Sequence, residues 1–196
     1  MADLKMIIDG KEVESSSRQR TNVIDPATEK TVGSVPKGTA EDVDRAVKAA
    51  RQAFKKWSRM TPGERSALLL KLADALDKDT QRLGEMETSQ TGKPLKLSLN
   101  SDLPFANDNI RFMAAQARVL EGTSAGEYSP GYTSIVRREP VGVVGSIAPW
   151  NNPYLMAAWK VGPVLAAGNI VVLKPASNTP LTAIEIAKVA LQVGIP

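Results

Sequence analysis

Apolar positions recur at different spacings along this chain, and each change of spacing marks a new element. Met6-Ile7-Ile8 and Lys11–Val13 flank Asp9-Gly10, the composition of a tight hairpin turn. Segments 22–24 and 31–35 read as short strands around a Pro-rich turn. A helical stripe follows, with Val43, Ala46, Val47, Ala50, Phe54 and Trp57 on one face behind a capping box of Thr39 and Asp42. Thr61-Pro62-Gly63-Glu64 opens another helical pattern, carried by Leu68, Leu69, Leu72, Leu76 and Leu83 until Gly92 and Pro94 stop it. A third long helix is expected over 98–120, with Phe105, Ile110, Phe112 and Met113. In 123–139, Tyr128-Ser129-Pro130-Gly131-Tyr132 is a turn between two strand-like pieces, with Thr133, Ile135 and Val136 at β-favouring positions. Such a hairpin has too little core to stand alone, so it is expected to pack on something else. No internal repeat is visible.

From 142 to 177 the pattern changes character. Residues 141–147 form a continuous apolar run rich in β-branched side chains, which suits a strand covered on both faces. Pro149 ends it. Asn152 precedes Pro153, is biased away from helical angles, and suits the N-cap of a helix with Pro153 at its first position, leaving Asn151 free to point outward. That helix is expected to reach about Ala167, with Gly168 as a left-handed cap, and 169–173 to form a second buried strand. The result is a βαβ unit of a parallel sheet. Both strands then end at one edge, where ligands of such sheets bind. Trp150, Asn151, Lys174 and Ser177 all fall there. Taken singly, Asn-Asn-Pro and Lys-Pro are ordinary turn and stop signals; their occurrence at matching strand ends favours a ligand edge. Between Pro140 and Leu173 the only charged side chain is Lys160. A lone charge on an apolar crossover points to a paired or cavity-lining group, because unpaired burial is costly. The alternative is a stem that snorkels to solvent.

Composition narrows the classes. With 196 residues, 42% hydrophobic and 23% charged, the chain can bury roughly 70% of its unfolded surface. No apolar run reaches membrane-spanning length and Met1-Ala2-Asp3-Leu4-Lys5 does not open a secretory signal, so a cytoplasmic location without membrane association is the default. The absence of Cys and His removes disulfides, thiolate metal sites and the commonest metal ligand, and no metal site is expected. A net charge of +4 invites a nucleic-acid reading. It does not hold, because Lys48, Arg51, Lys55 and Lys56 share a helix with Glu41, Asp42 and Asp44, and aromatics make up only 5%.

Ile147-Ala148-Pro149-Trp150-Asn151, Trp159-Lys160, Leu165-Ala166-Ala167-Gly168-Asn169 and Leu173-Lys174-Pro175-Ala176-Ser177 together resemble the aldehyde dehydrogenase superfamily. Asp25-Pro26-Ala27-Thr28, the helix Ala40–Trp57, Thr61-Pro62-Gly63-Glu64-Arg65, Thr91-Gly92-Lys93-Pro94 and Arg138-Glu139-Pro140-Val141-Gly142 follow that family's order, so essentially the whole chain is covered. Ser124-Ala125-Gly126-Glu127-Tyr128, with Thr133-Ser134 and Arg137-Arg138, is most similar to enzymes acting on γ-aminobutyraldehyde and related aminoaldehydes or on betaine aldehyde. The fold class implied is α/β: the N-terminal portion of an aldehyde-dehydrogenase-like fold, an incomplete Rossmann-like parallel sheet with flanking helices and a β-hairpin arm. The implied organisation is 1–122 as strands and helices of the cofactor domain, 123–140 as an oligomerisation hairpin reaching a neighbouring subunit of a homo-oligomer, and 141–196 as the first βαβ part of the dinucleotide-binding domain. The alternative for 123–140 is an ordinary surface hairpin.

The resemblance implies oxidation of an aldehyde to a carboxylic acid with NAD or NADP. A cysteine thiolate attacks the carbonyl, hydride leaves to the cofactor, and a glutamate-activated water hydrolyses the thioester. Asn151 matches the oxyanion-hole amide and Lys160 a charge-relay lysine. Ile147, Ala148, Pro149, Trp150 and Asn151 match contacts beside the cofactor, and Lys174, Pro175, Ala176 and Ser177 the adenosine-ribose end. Ser177 stands where many NAD-preferring members carry glutamate, which removes a repulsion against a 2′-phosphate and leaves NADP open. Gly142-Val143-Val144-Gly145 lies inside a strand and is not the usual Gly-rich dinucleotide turn, in keeping with that family. Asp108, with Asp102 as a second candidate, matches the region that lines the substrate tunnel of aminoaldehyde enzymes; the alternative for Asp108 is an ion pair with Arg111. The family's nucleophilic cysteine and base glutamate lie downstream of the matched region. The chain is therefore expected to be inactive alone and to need a missing C-terminal part, or else to serve as a non-catalytic cofactor-binding or subunit-interaction fragment. The break at Gly194-Ile195-Pro196, where a further strand is expected, favours the former.

Overall fold

The computed structural model describes residues 2–124 and 126–196. At the N-terminus, β1 (Ala2–Asp3) runs parallel to β5 (Thr31–Pro36), which pairs antiparallel with β4 (Arg20–Ile24), giving the order β1-β5-β4. The hairpin of β2 (Met6–Ile8) and β3 (Lys11–Val13) forms as expected. Its Asp9 and Gly10 both take positive φ, 54° and 68°, the turn whose twist suits two antiparallel strands. β1 was not legible in the pattern. The guanidinium of Arg20 binds this corner together, donating to the carbonyls of Leu4 at 2.6 Å and Ser34 at 3.0 Å and pairing with Glu14 at 2.7 Å.

Helix α1 (Ala40–Trp57) starts at the capping box, in which the Thr39 N–H donates to Asp42 at 3.0 Å and the Asp42 N–H to the Thr39 hydroxyl at 3.3 Å. Asp42 also accepts from the Ser15 hydroxyl at 2.7 Å and the Ser16 N–H at 3.1 Å. Burial pushes its carboxyl up, but the Ser15, Thr39 and Ser16 donors outweigh burial and bring it down to about 2. Because Asp42 faces inward against this loop, Val43 is turned to solvent, and the expected apolar stripe becomes fully buried only at Ala50 and Trp57.

The Leu-rich pattern after Thr61 is two helices, α2 (Pro62–Lys78) and α3 (Thr80–Thr91), separated at Asp79, with φ −111° and ψ 16°. Asp79 accepts from the Arg82 guanidinium at 2.8 Å, and the Thr80 hydroxyl donates to the Asp77 carbonyl at 2.8 Å, so local polar bonds replace the helix ladder there. Leucines on both sides still face one core, which is why the apolar pattern runs on across the break. The third helix begins earlier and ends sooner than 98–120. It runs as α4 (Leu95–Leu97), a π-helical turn at Ser98–Asp102, and α5 (Leu103–Gln116). The π turn re-aims the face it interrupts and carries Ser98 and Asp102 inward.

Strand β8 (Val143–Ile147), helix α6 (Pro153–Ala166) and strand β9 (Ile170–Lys174) form the expected parallel unit, with Val143 opposite Ile170 and Ile147 opposite Lys174. The turn into β9 uses Gly168 at φ +83°, where a Cβ would also come 2.8 Å from the Pro140 ring. Two side chains cap the end of α6: the Trp57 indole donates to the Leu165 carbonyl at 3.1 Å and the Arg65 guanidinium to that of Ala166 at 3.1 Å. Helix α5 lies between α2 and α6, and α7 (Leu181–Gln192) packs on α3 and α6. One expectation fails for β8. Val141 lies outside the strand and is exposed, and β8 itself is only partly covered, because within the described residues it has a single strand neighbour.

The 123–140 hairpin is slight. β6 (Thr123–Ser124) pairs with β7 (Ile135–Val136), and Ser129 bridges Tyr132. Tyr128, Tyr132, Ile135 and Val136 all lie in solvent. Ala125, within the aminoaldehyde-like stretch, lies outside the described residues. Among the described residues no helix is long and apolar enough to cross a membrane.

Candidate active site

The register of β8 and β9 brings the two polar signatures together. Ile147 and Lys174 end their strands side by side, and the Ala148 N–H donates to the Lys174 carbonyl at 3.0 Å, extending the ladder one step. Ala148 is buried, Pro175 and Ala176 are half-buried, and Ile147, Pro149, Trp150, Asn151, Lys174 and Ser177 are exposed. The Lys174 ammonium donates only to the adjoining Pro175 carbonyl, at 3.0 Å, among the described residues. Exposed apolar side chains at Ile147 and Trp150, on the sheet edge where Lys174 holds only its neighbouring carbonyl, offer the kinds of contact that the flat rings, hydroxyls and phosphates of a nicotinamide dinucleotide require.

Asn151 presents its amide with no hydrogen bond to any described residue, whereas the chain on its C-terminal side is held firmly. Asn152 occupies the N-cap position of α6 with Pro153 following, as expected, yet its side chain does not cap the helix. Its Oδ1 instead accepts from Lys93 Nζ at 2.8 Å. The first free N–H of α6, that of Tyr154, is taken by Glu87 Oε1 at 3.2 Å. Glu87 lies on α3 and is fully buried; its other oxygen accepts from Gln90 Nε2 at 2.9 Å and the Thr182 hydroxyl at 2.7 Å. Burial pushes the Glu87 carboxyl above its ordinary 4.5, and those three donors partly oppose the shift. The buried Tyr154 hydroxyl donates to Asn107 at 2.7 Å, and the Asn107 amide donates to Asp77 at 2.7 Å. Burial raises the Tyr154 pKa far above its usual range, so it stays a neutral donor.

Lys160 is half-buried on α6 and makes no ion pair among the described residues, so the pairing expected of a lone charge on an apolar helix is not seen there. Asp108 is exposed on α5, with Phe105 and Phe112 one turn before and after it. Phe105 meets Trp159 of α6 edge to face, centroids 5.9 Å apart at 73°. The alternative pairing of Asp108 with Arg111 does not occur, because Arg111 bonds Asp74 and Asp77 at 2.6 Å each. Asp102 does not join this face. The π turn buries it and its carboxylate pairs with Lys93, so it is not open to a substrate. Among the described residues no cluster of three or more His, Cys, Asp or Glu side chains could hold a metal ion. Lys93, Glu87, Asn107 and Tyr154 carried no signal as site residues beyond the position of Lys93 in Thr91-Gly92-Lys93-Pro94.

The sequence matches the family model described as "Aldehyde dehydrogenase family" over residues 13–196. It is 40% identical over 194 residues to the NADP/NAD-dependent aldehyde dehydrogenase PuuC of Escherichia coli (strain K12), covering 98% of this chain and 39% of that protein. An NAD-dependent aldehyde dehydrogenase from Sinorhizobium meliloti superposes with a TM-score of 0.96 at 37% identity, over 100% of this chain and 39% of the other. A double-mutant betaine aldehyde dehydrogenase from Staphylococcus aureus, solved with NAD+, gives a TM-score of 0.94 at 36% identity, over 98% of this chain and 39% of that one. The chain thus spans well under half the length of these relatives.

Proposed function

This chain belongs to the aldehyde dehydrogenase family, and we propose that it supplies the oxyanion amide and part of the dinucleotide surface of an enzyme oxidising an amino- or ammonium-bearing aldehyde to its acid. The observation that carries this reading is the Asn151 amide, bonded to no described residue, just past the carboxyl end of β8 and next in sequence to the exposed Trp150, on the sheet edge where β9 also ends in Lys174. As a nucleophile adds to the aldehyde carbon, charge moves onto the carbonyl oxygen, and the Asn151 NH2 donates to it. A neutral donor held rigidly needs no reorganisation at that moment. The nucleophile is not among these residues, since the chain has no cysteine, and the chain alone does not turn over aldehyde. A bound nicotinamide dinucleotide would supply the acceptor for the hydride that leaves the aldehyde carbon. Ile147, Ala148, Pro149, Trp150 and Asn151 would lie beside that cofactor, and Lys174 with Ser177 would take its adenosine ribose. Serine at that position carries no charge to repel a 2′-phosphate, which leaves NADP open beside NAD. Lys160 acts as the relay lysine, and the exposed 123–140 hairpin packs on a neighbouring subunit. Residues 1–122 and 141–196 form the cofactor side on either side of that hairpin.

Asp108 gives the substrate its class. It is exposed, unpaired among the described residues, and set between Phe105 and Phe112, an acid among aromatic faces that suits an ammonium group. In the full-length enzyme Asp108→Asn raises KM for an aminoaldehyde about tenfold and leaves a neutral aldehyde of similar length within about twofold. Equal responses of the two substrates would make Asp108 structural and remove the aminoaldehyde assignment.

A further inference from the structure

The start of α6 is secured by two residues of one neighbouring segment, and one of them reaches the residue next to the proposed oxyanion amide. Helix α3 ends at Gly92, whose φ of +74° turns the chain so that Lys93 leaves the helix. The Lys93 side chain is only 12% exposed, as is that of Asp102, and the two form an ion pair. A second N–H of the same ammonium reaches Asn152 Oδ1 at 2.8 Å. Asp102 is available there because the π turn directs it inward. Asn152 itself sits at φ −140° and ψ 68°, neither helical nor fully extended. Its side chain has given up the usual capping bond, which Glu87 makes in its place. Free of the cap and bound to Lys93, the Asn152 side chain ties the peptide that follows Asn151 to α3 and to the π turn.

From this geometry we infer that Lys93 is a positioning residue for Asn151, acting through Asn152, with Asp102 holding the ammonium in place. The inference rests on the aldehyde-oxidising reading for its catalytic consequence. Its structural content stands apart from that reading. A lysine suits the task because one ammonium serves an anion and an amide oxygen at once, and the anion restricts where the second N–H points. The pair is nearly buried, so removing Lys93 alone would strand a carboxylate. Lys93→Met with Asp102→Leu removes both charges together. Asn152→Ala cuts only the amide link and leaves the ion pair whole.

In the full-length enzyme both variants are expected to lower kcat about tenfold, with KM for aldehyde and cofactor within about twofold. In an Asn151→Ala background the same changes have no further effect, because the amide they position is gone. Amide hydrogen exchange of residues 154–156 is about tenfold faster in both variants, while β9 exchanges as before. Equal losses in the presence and absence of Asn151 would make the cluster a plain stabilising contact and overturn the inference. Unchanged exchange at 154–156 would overturn it whatever the activity. An enzyme without aldehyde turnover would sink the functional reading instead, and the exchange result would still decide the role of Lys93.

Discussion

Replacing Asn151 by alanine in the full-length enzyme lowers kcat on the order of 10²-fold while unfolding free energy stays within about 0.5 kcal/mol. Both halves follow from the geometry. The side chain is exposed and its amide bonds no described residue, so the folded state loses little. The backbone around it is fixed by Pro149, Pro153, the Lys93–Asn152 bond and the Glu87–Tyr154 bond, so the loop keeps its shape when the amide is removed. Under the proposed oxyanion role, what goes is a donor to charge that develops only during reaction, a loss that falls on kcat rather than on KM. Steady-state kinetics beside a urea titration separates the two quantities. Unchanged turnover would rule out the oxyanion role.

Glu87→Ala is the substitution with the largest expected effect on stability, about 3–5 kcal/mol. It leaves the Thr182 hydroxyl, the Tyr154 N–H and one N–H of the Gln90 amide without their acceptor in a site closed to water, the other Gln90 N–H keeping the Thr182 oxygen at 2.7 Å, and it opens a cavity among α3, α6 and α7. Glu87→Gln keeps one acceptor oxygen and costs less. The dependence on pH has a definite sign. Burial raises the folded-state pKa of Glu87 above 4.5, so its contribution is fully present below that value and is lost as pH rises through the folded pKa. Urea midpoints of the wild type therefore fall relative to those of Glu87→Gln on moving upward from pH 4.5. Asp42, lowered from 3.8 to about 2, works oppositely and weakens the fold as pH falls through that range. A Glu87→Ala protein as stable as the wild type would show that the buried network is not what secures α6.

Local chemistry was legible and long-range polar pairing was not. The Asp9-Gly10 turn, the Thr39–Asp42 capping box, the helix start at Thr61, Pro153 at the start of α6 and Gly168 at its end follow from rules that act within a few residues, and all are present. The break at Asp79 escaped because a leucine stripe reports burial, which both helices share, and not the continuity of the backbone. The π turn escaped for a related reason: one extra residue in the ladder leaves composition unchanged while it places Asp102 inward, against Lys93. Val43 and Val141 show the limit of hydrophobicity as a guide, since each lies beside an element whose polar or backbone needs set the orientation. Asn152 was placed at the right position with the wrong partner. Its bond to Lys93 spans 59 residues, beyond the reach of any local pattern.

Formation of reduced nicotinamide on addition of aldehyde tests the central claim most directly, followed by absorbance with NAD and with NADP for the full-length protein and for residues 1–196 alone. The account predicts steady, aldehyde-dependent reduction by the full-length protein, fastest with an aminoaldehyde, and none by residues 1–196, which contain no cysteine. Absence of reduction by the full-length protein with either cofactor across amino, quaternary ammonium and neutral aldehydes, or turnover by residues 1–196 alone, would contradict it.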